Sequence, residues 1–158
     1  MVIRVSDALP AGSIAVQTAS SSFENIVTSL VGRLVATGQV AAHTAEDAAR
    51  RVFAREAMAT TAMVDIGVSI PHARVQGVTG IVAALAVSPR AVYEVGAALP
   101  ISIVVLVLSS PDLSGEHLNF LSALSMLLQS ARLREQMRNA RDADELFRLI
   151  VDDERGRS

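Results

Sequence analysis

The sequence predicts a three-layer α/β/α sandwich with a mixed central sheet. Strand-like segments are interspersed with amphipathic helical segments, and one strand candidate, residues 101–108, is apolar almost throughout. A strand with that pattern is typically covered on both faces, which requires helices on each side of the sheet. With 158 residues, of which 51% are hydrophobic, the chain is expected to form a single domain over residues 1–158.

The N-terminal half is predicted to contain a short strand and two helices. Residues 13–17 alternate in polarity, as a strand does. The first helix ends near Gly38, a residue type favoured just after helices. Its apolar stripe consists of Phe23, Ile26, Val27, Leu30, Val31 and Leu34. Thr44 and Asp47 resemble a capping box and predict the start of the second helix, which gives way to a turn at residues 59–62.

The middle of the chain is predicted to supply the sheet. Residues 66–70, 80–87 and 101–108 are the strand candidates, and the first stops at Pro71. Residues 92–100 are polar enough to be a connection between strands.

The C-terminal third is predicted to be helical. One helix carries His117, Leu118, Leu121, Leu124 and Leu128 on one side. A short helix with Leu133 and Met137 comes next. Residues 142–145 form a second capping box, which opens a last helix with Leu146, Leu149 and Ile150 facing inward.

The composition excludes several functional classes. The chain has no cysteine, and its basic residues are all arginines. Disulfide scaffolds, thiolate nucleophiles, Cys-ligated metal sites, phosphate loops with an essential lysine and Schiff-base chemistry are therefore excluded. The formal net charge is −2 and the arginines are scattered, so no nucleic-acid-binding face is expected.

The chain is expected to be cytoplasmic and to have no membrane span. The absence of cysteine suits a reducing compartment, and residues 1–6 lack the basic start and apolar run of a signal peptide. Pro89, Arg90, Glu94 and Pro100 interrupt the most apolar region, residues 80–109. A membrane helix needs about 20 consecutive apolar residues.

The candidate nucleophiles are hydroxyls, carboxylates and three histidines. No G-x-S-x-G elbow indicates a serine hydrolase, and the histidines lack the spacing of zinc ligands. His72 follows a proline at the end of a strand candidate, where α/β folds commonly meet their ligands. A neutral imidazole there is a competent nucleophile toward phosphorus if its other nitrogen is hydrogen-bonded. The alternative is a histidine packed into a loop.

Two further residues have alternative interpretations. His117, near the start of a helix, either presents its ring to an anion or leaves it in solvent. Arg55 either interacts with the negative end of the second helix or binds a phosphoryl group through charge-assisted hydrogen bonds. His43 has no evident partner and is assigned to the surface.

Taken in order, these residues resemble the enzyme IIA domain of the phosphoenolpyruvate-dependent phosphotransferase system, in its fructose, mannitol and nitrogen-regulatory class. The segment G-V-S-I-P-H at residues 67–72 is similar to the family's G-[IV]-A-I-P-H. Residues 55–62 look like its R-E-x-x-G-S-T-G, and residues 116–118 look like the start of the helix that carries its second histidine. The resemblance extends from about residue 3 to residue 150.

The resemblance implies the mannitol-type IIA fold and a phosphohistidine carrier. His72 would accept a phosphoryl group from the phosphocarrier protein HPr and pass it on, normally to an enzyme IIB domain. Arg55 and His117 would stabilise the transferring group, with the hydroxyls of Thr60 and Thr61 helping to bind it. No metal or other cofactor is implied.

The chain departs from the family pattern at four points. Ala59, Ala62 and Ala73 stand where glycines are common, and the interval between Arg55 and His72 is one residue longer than usual. Three functions are compatible with the sequence: a free-standing, nitrogen-related regulatory IIA, a sugar-specific IIA of an uptake system, or a phosphorylation-dead interaction module of the same fold. The first is favoured because no IIB or IIC domain is attached.

Overall fold

The computed structural model describes residues 4–157 and has the predicted three layers. Helices lie on both faces of a mixed sheet. The α-helices are α1 (Phe23–Ala36), α2 (Ala45–Met58), α3 (Ser114–Leu127), α4 (Ala131–Arg138) and α5 (Ala143–Arg157). The strands are β1 (Ile14–Ala15), β2 (Ala62–Met63), β3 (Val68–Ser69), β4 (His72–Arg74), β5 (Ile81–Val87), β6 (Tyr93–Val95), β7 (Leu99–Ile101) and β8 (Ile103–Ser109). Short 3₁₀ helices cover Val5–Ala8, Ala11–Ser13 and Ala42–Thr44.

The main sheet has the order β1-β5-β8-β3-β2, and β4 pairs with β8 beside β3. β5 is antiparallel to β8, whereas β3 and β4 are parallel to it. Both parallel strands keep one register, with Val68 opposite Ile103 and His72 opposite Val107. They form one extended segment interrupted at Pro71, which has no N–H to give to a ladder.

Strand β8 separates two apolar clusters, as its uninterrupted apolar sequence predicts. Val105 and Val107 face the cluster formed with α3, α4 and α5. Val104, Leu106 and Leu108 face the cluster formed with α1 and α2. No helix within residues 4–157 has the combined length and hydropathy needed to cross a membrane.

Most predicted helix ends are confirmed. Gly38 follows α1 with a φ of 78°, the left-handed conformation in which glycine carries no steric penalty. The Asp142 carboxylate accepts a hydrogen bond from the Glu145 amide at 2.8 Å, so Asp142 caps the start of α5 as the second capping box predicts. The Glu145 carboxylate reaches back to the Arg141 amide at 3.2 Å.

The first predicted capping box is wrong. Thr44 precedes α2, but its side chain accepts no capping hydrogen bond. Its backbone, with φ of −92° and ψ of −17°, already has helical dihedrals because it ends the short 3₁₀ helix. A capping hydroxyl needs an extended backbone at that position to reach the following amides.

The predicted connection at residues 92–100 is also wrong, because it forms the antiparallel hairpin of β6 and β7. Tyr93 explains the difference: it is buried, and its ring lies 5.4 Å from that of Phe23 in edge-to-face contact. Glu94 next to it is exposed, so the polar residues of this segment mark the outer face of a strand. Consequently, Ile101 belongs to β7 and β8 begins at Ile103.

Candidate functional site

An open cavity of about 540 Å³ lies across the edge strand β4, between the C-terminal half of α2 and the first turns of α3. It contains both histidines that the sequence singled out. The lining residues are Arg51, Ala54, Arg55, Met58, His72, Ala73, Arg74, His117, Leu118 and Leu121.

His72 is the first residue of β4, so it does not simply follow a strand as predicted. The interruption at Pro71 explains this difference. The Nδ1 atom of the half-buried His72 lies 2.8 Å from the backbone carbonyl oxygen of Ile70. A carbonyl oxygen only accepts hydrogen bonds, so Nδ1 must carry the proton. The lone pair of a neutral His72 ring is therefore on Nε2.

His117 is buried, so the interpretation that left its ring in solvent is wrong. It has an exposed fraction of 4%, and its ring centroid lies 5.4 Å from that of His72. Its Nδ1 atom lies 2.5 Å from the Ser109 hydroxyl. Burial, and to a lesser extent the nearby His72 and Arg74, lowers the pKa of His117 to about 4. The ring is therefore neutral at pH 7.

Strand alternation explains the pairing of Ser109 with His117. Val105 and Val107 face the α3 side of the sheet, and Ser109 continues the same row because residues two apart share a face. Ser109 is fully buried. The end of the β8 sequence thus contained a signal for this contact, which the sequence interpretation missed.

Arg55 lies near the end of α2 and lines the cavity. Its Nη1 atom donates a hydrogen bond to the Ala59 carbonyl oxygen at 3.0 Å, just beyond the helix. Both sequence interpretations are therefore compatible with its position, because the guanidinium interacts with the helix C-terminus and remains beside the histidines.

Thr60 and Thr61 are not among the lining residues. The Glu56 carboxylate accepts hydrogen bonds from the Thr60 hydroxyl at 2.7 Å and from the Thr61 amide and hydroxyl at 2.8 Å. Binding of a phosphoryl group by these hydroxyls stays a prediction, and it requires them to turn away from Glu56.

Ala59 and Ala73 replace glycines that are usual in the family, and neither has a strained backbone. Ala59 is extended, with φ of −165°, and Ala73 is buried in β4. Gly67 is retained where it is needed: its φ is 69°, and an added Cβ would lie 3.3 Å from the Ser102 hydroxyl.

Arg51 and Arg74 line the cavity and were not predicted from the sequence. Arg51 lies one helical turn before Arg55 on α2. Arg74 lies two residues after His72 on β4. Both spacings place the residues on a shared face, so the signal was available once the elements were known. His43, by contrast, is exposed as predicted.

Comparison with solved structures identifies the fold. The crystal structure of the nitrogen regulatory protein IIA-Ntr from Neisseria meningitidis matches with a TM-score of 0.77 and 23% identity, over 92% of this chain and 98% of that one. IIA mannitol from Escherichia coli matches with a TM-score of 0.72 and 16% identity, over 89% and 97%. An NMR structure of the E. coli mannitol protein in complex with phosphorylated enzyme IIB matches with a TM-score of 0.71 and 15% identity, over 90% and 96%. The fold is thus the one shared by these solved IIA structures.

The family follows from the sequence. The family model described as "Phosphoenolpyruvate-dependent sugar phosphotransferase system, EIIA 2" matches residues 8–153, and the chain belongs to this family. The resemblance and fold class expected from the sequence are therefore confirmed. A protein named "Nitrogen regulatory protein" from Pseudomonas aeruginosa is 27% identical over 106 residues, covering 66% of this chain and 68% of that protein.

Proposed function

We propose that this chain is a phosphohistidine carrier in which Nε2 of His72 accepts a phosphoryl group from an HPr-type phosphocarrier protein. The observation that carries the proposal is the hydrogen bond between His72 Nδ1 and the Ile70 carbonyl at 2.8 Å. This bond orients the ring and leaves Nε2 as the nucleophilic nitrogen. The bond between phosphorus and the donor imidazole breaks, its electron pair stays with the donor, and the Nε2 lone pair forms the new bond.

Arg55 and His117 stabilise the negative charge on the phosphoryl oxygens during transfer. Such transfer depends mainly on positioning and electrostatic stabilisation. A phosphoryl oxygen only accepts hydrogen bonds, so His117 must donate from Nε2. The Ser109 hydroxyl then donates to His117 Nδ1, across the 2.5 Å contact, and holds the neutral ring in that tautomer.

An apolar rim provides the docking surface for the partners. Met58 and Leu118 both line the cavity and have exposed fractions of 83% and 62%. Large exposed apolar side chains beside a concave site are typical of a surface that another protein covers. The HPr-type donor and the acceptor, an enzyme IIB domain or a regulated protein, use this rim in turn.

A nitrogen-related regulatory role is favoured over sugar uptake. The sequence similarity to the P. aeruginosa nitrogen regulatory protein and the fold similarity to the N. meningitidis protein support it. The comparable fold similarity to IIA mannitol keeps a sugar-specific IIA component as the second candidate.

The test is phosphorylation of the purified protein by phosphoenolpyruvate, enzyme I and HPr from the same organism, followed by intact mass spectrometry. We expect one acid-labile phosphoryl group on the wild type and none on His72→Ala. His117→Ala should reach the same extent about a hundredfold more slowly, as expected when one transition-state donor is removed. His43→Ala, which alters an exposed histidine, is the matched control and should behave as wild type. If the wild type takes no phosphoryl group while HPr is fully phosphorylated, the proposal is overturned and the protein is a phosphorylation-dead interaction module.

A further inference from the structure

We propose that Arg74 is a second catalytic guanidinium, which binds the phosphoryl oxygens from the strand side of the cavity and is positioned by Ser114. This inference rests on the proposed function. It extends that function to a residue outside the motifs on which the family resemblance depends.

The position of Arg74 follows from the strand. His72 and Arg74 are two residues apart in β4, so their side chains leave the same face of the sheet. Val68 and Ile70, which precede them in the same extended segment, face the cluster on the α3 side. His117 comes from α3 itself, and all three of these polar residues line the cavity.

The charge of Arg74 is not neutralised by a carboxylate within residues 4–157. Its one hydrogen bond there is from Nη1 to the Ser114 hydroxyl oxygen, at 2.7 Å. Arg51 provides a contrast in the same cavity, because its Nε atom lies 2.8 Å from the Asp47 carboxylate. A guanidinium has five N–H donors. Arg74 therefore retains its full charge and most of its donors for an oxyanion.

Ser114 explains how an exposed arginine is held in place. It is the first residue of α3 and lies 40 residues from Arg74 in sequence. Its hydroxyl restricts the long side chain without contributing an opposing charge. A carboxylate there would also hold the arginine, but it would compete with the phosphoryl group for the same donors.

Arg55 and Arg74 approach the cavity from different elements, α2 and β4. The transferring phosphoryl group spreads its charge over three equatorial oxygens, so donors from two sides bind it better than donors from one. Arg74 is exposed in the free protein. When a phosphocarrier covers the cavity and excludes water, its interaction with the phosphoryl group strengthens.

The experiment measures single-turnover transfer from phosphorylated HPr over a range of carrier concentrations, which separates the maximal rate from the half-saturating concentration. We expect Arg74→Gln to lower the maximal rate about a hundredfold with little change in the half-saturating concentration. Arg74→Lys should recover part of the loss, because it keeps the charge and loses the planar fork. Ser114→Ala should slow transfer several-fold while Arg74 is retained. Arg50→Gln, which changes an exposed arginine outside the cavity lining, should match the wild type.

Three results would overturn this inference. Arg74→Gln could transfer at the wild-type maximal rate, or it could change only the half-saturating concentration, which would make Arg74 a docking residue. Its melting temperature could fall together with its rate, which would make its role structural. Each of these results leaves the proposed function intact, because the wild type still accepts the phosphoryl group. If the wild type accepts none, both the proposed function and the role of Arg74 are overturned.

Discussion

The two sides of the cavity are built by different means. On the strand side, His72 and Arg74 lie on β4, with Ser109 on β8 beside them, and a regular hydrogen-bonded ladder joins the two strands. On the helix side, Arg55 and Glu56 lie in the last turns of α2, and residues 59–61 are held to them by side-chain hydrogen bonds.

The proposed nucleophile therefore lies on the rigid side of the cavity, and the side that can adjust is the helix side. His72 is fixed by a backbone carbonyl and by the pairing of β4 with β8, the strand that separates the two apolar clusters. The loop at residues 59–61 is held by two side chains, the Arg55 guanidinium and the Glu56 carboxylate. We therefore expect substitutions of residues that support the strand side to lower the transfer rate and the stability more than equivalent substitutions on the helix side.

Among the residues that support the two sides, the largest effect is expected for Ser109→Ala. It removes the partner of His117 Nδ1 and leaves a buried nitrogen unsatisfied, which costs about 1–3 kcal/mol of unfolding free energy. Transfer should slow about tenfold, because the ring loses its fixed tautomer and the equivalent of one hydrogen bond. Urea denaturation and single-turnover transfer measure the two effects. Ser88→Ala removes another buried hydroxyl, at the opposite end of the β5–β8 pair from Ser109, and should leave the transfer rate unchanged. If Ser109→Ala transferred the phosphoryl group at the wild-type rate, the Ser109 hydroxyl would have no role in the mechanism.

An intermediate effect is expected on the pH dependence of stability. The pKa of His117 falls from 6.5 to about 4 in the folded protein, chiefly because of burial. Between these values the unfolded chain binds a proton that the folded one rejects, so stability is lost as the pH falls from about 6.5 to about 4. His117→Gln should flatten this part of the curve of unfolding free energy against pH. An unchanged slope would show that other groups cause it.

The smallest effect is expected for Glu56→Gln on the helix side. An amide keeps one acceptor oxygen, so part of the set of hydrogen bonds to Thr60 and Thr61 is lost. The loosened loop should slow transfer about threefold, as expected for the loss of a fraction of one hydrogen bond. Glu46→Gln, in the first turn of the same helix, is the control. If Glu56→Gln slowed transfer more than Ser109→Ala, the comparison between the two sides would be reversed.

Much of the fold was predictable because it depends on periodicity. The stripe of α1, the buried β8 and the Asp142 cap are all local patterns, and each is confirmed. The hairpin of β6 and β7 was missed because the burial of Tyr93 depends on Phe23, a contact between distant parts of the chain.

The site was predictable to a smaller extent. Motifs identified His72, Arg55 and His117, and all three line one cavity. Arg74 was missed because the strand was predicted to stop before His72, so the two were not assigned to a common face. The burial of His117 was missed because it requires Ser109, which only the packing of α3 on β8 brings into contact.

In the proposed carrier, the hydrogen bond from His72 to the Ile70 carbonyl also determines which isomer of phosphohistidine forms. With the proton held on one ring nitrogen, phosphorus has a single point of attachment, and the product is the Nε2-linked isomer alone. The two isomers give different ¹⁵N couplings to phosphorus, so a labelled sample would reveal the regiochemistry directly. A backbone oxygen two residues before the histidine thereby blocks one ring nitrogen, as a protecting group does in synthesis, and directs the reaction to the other.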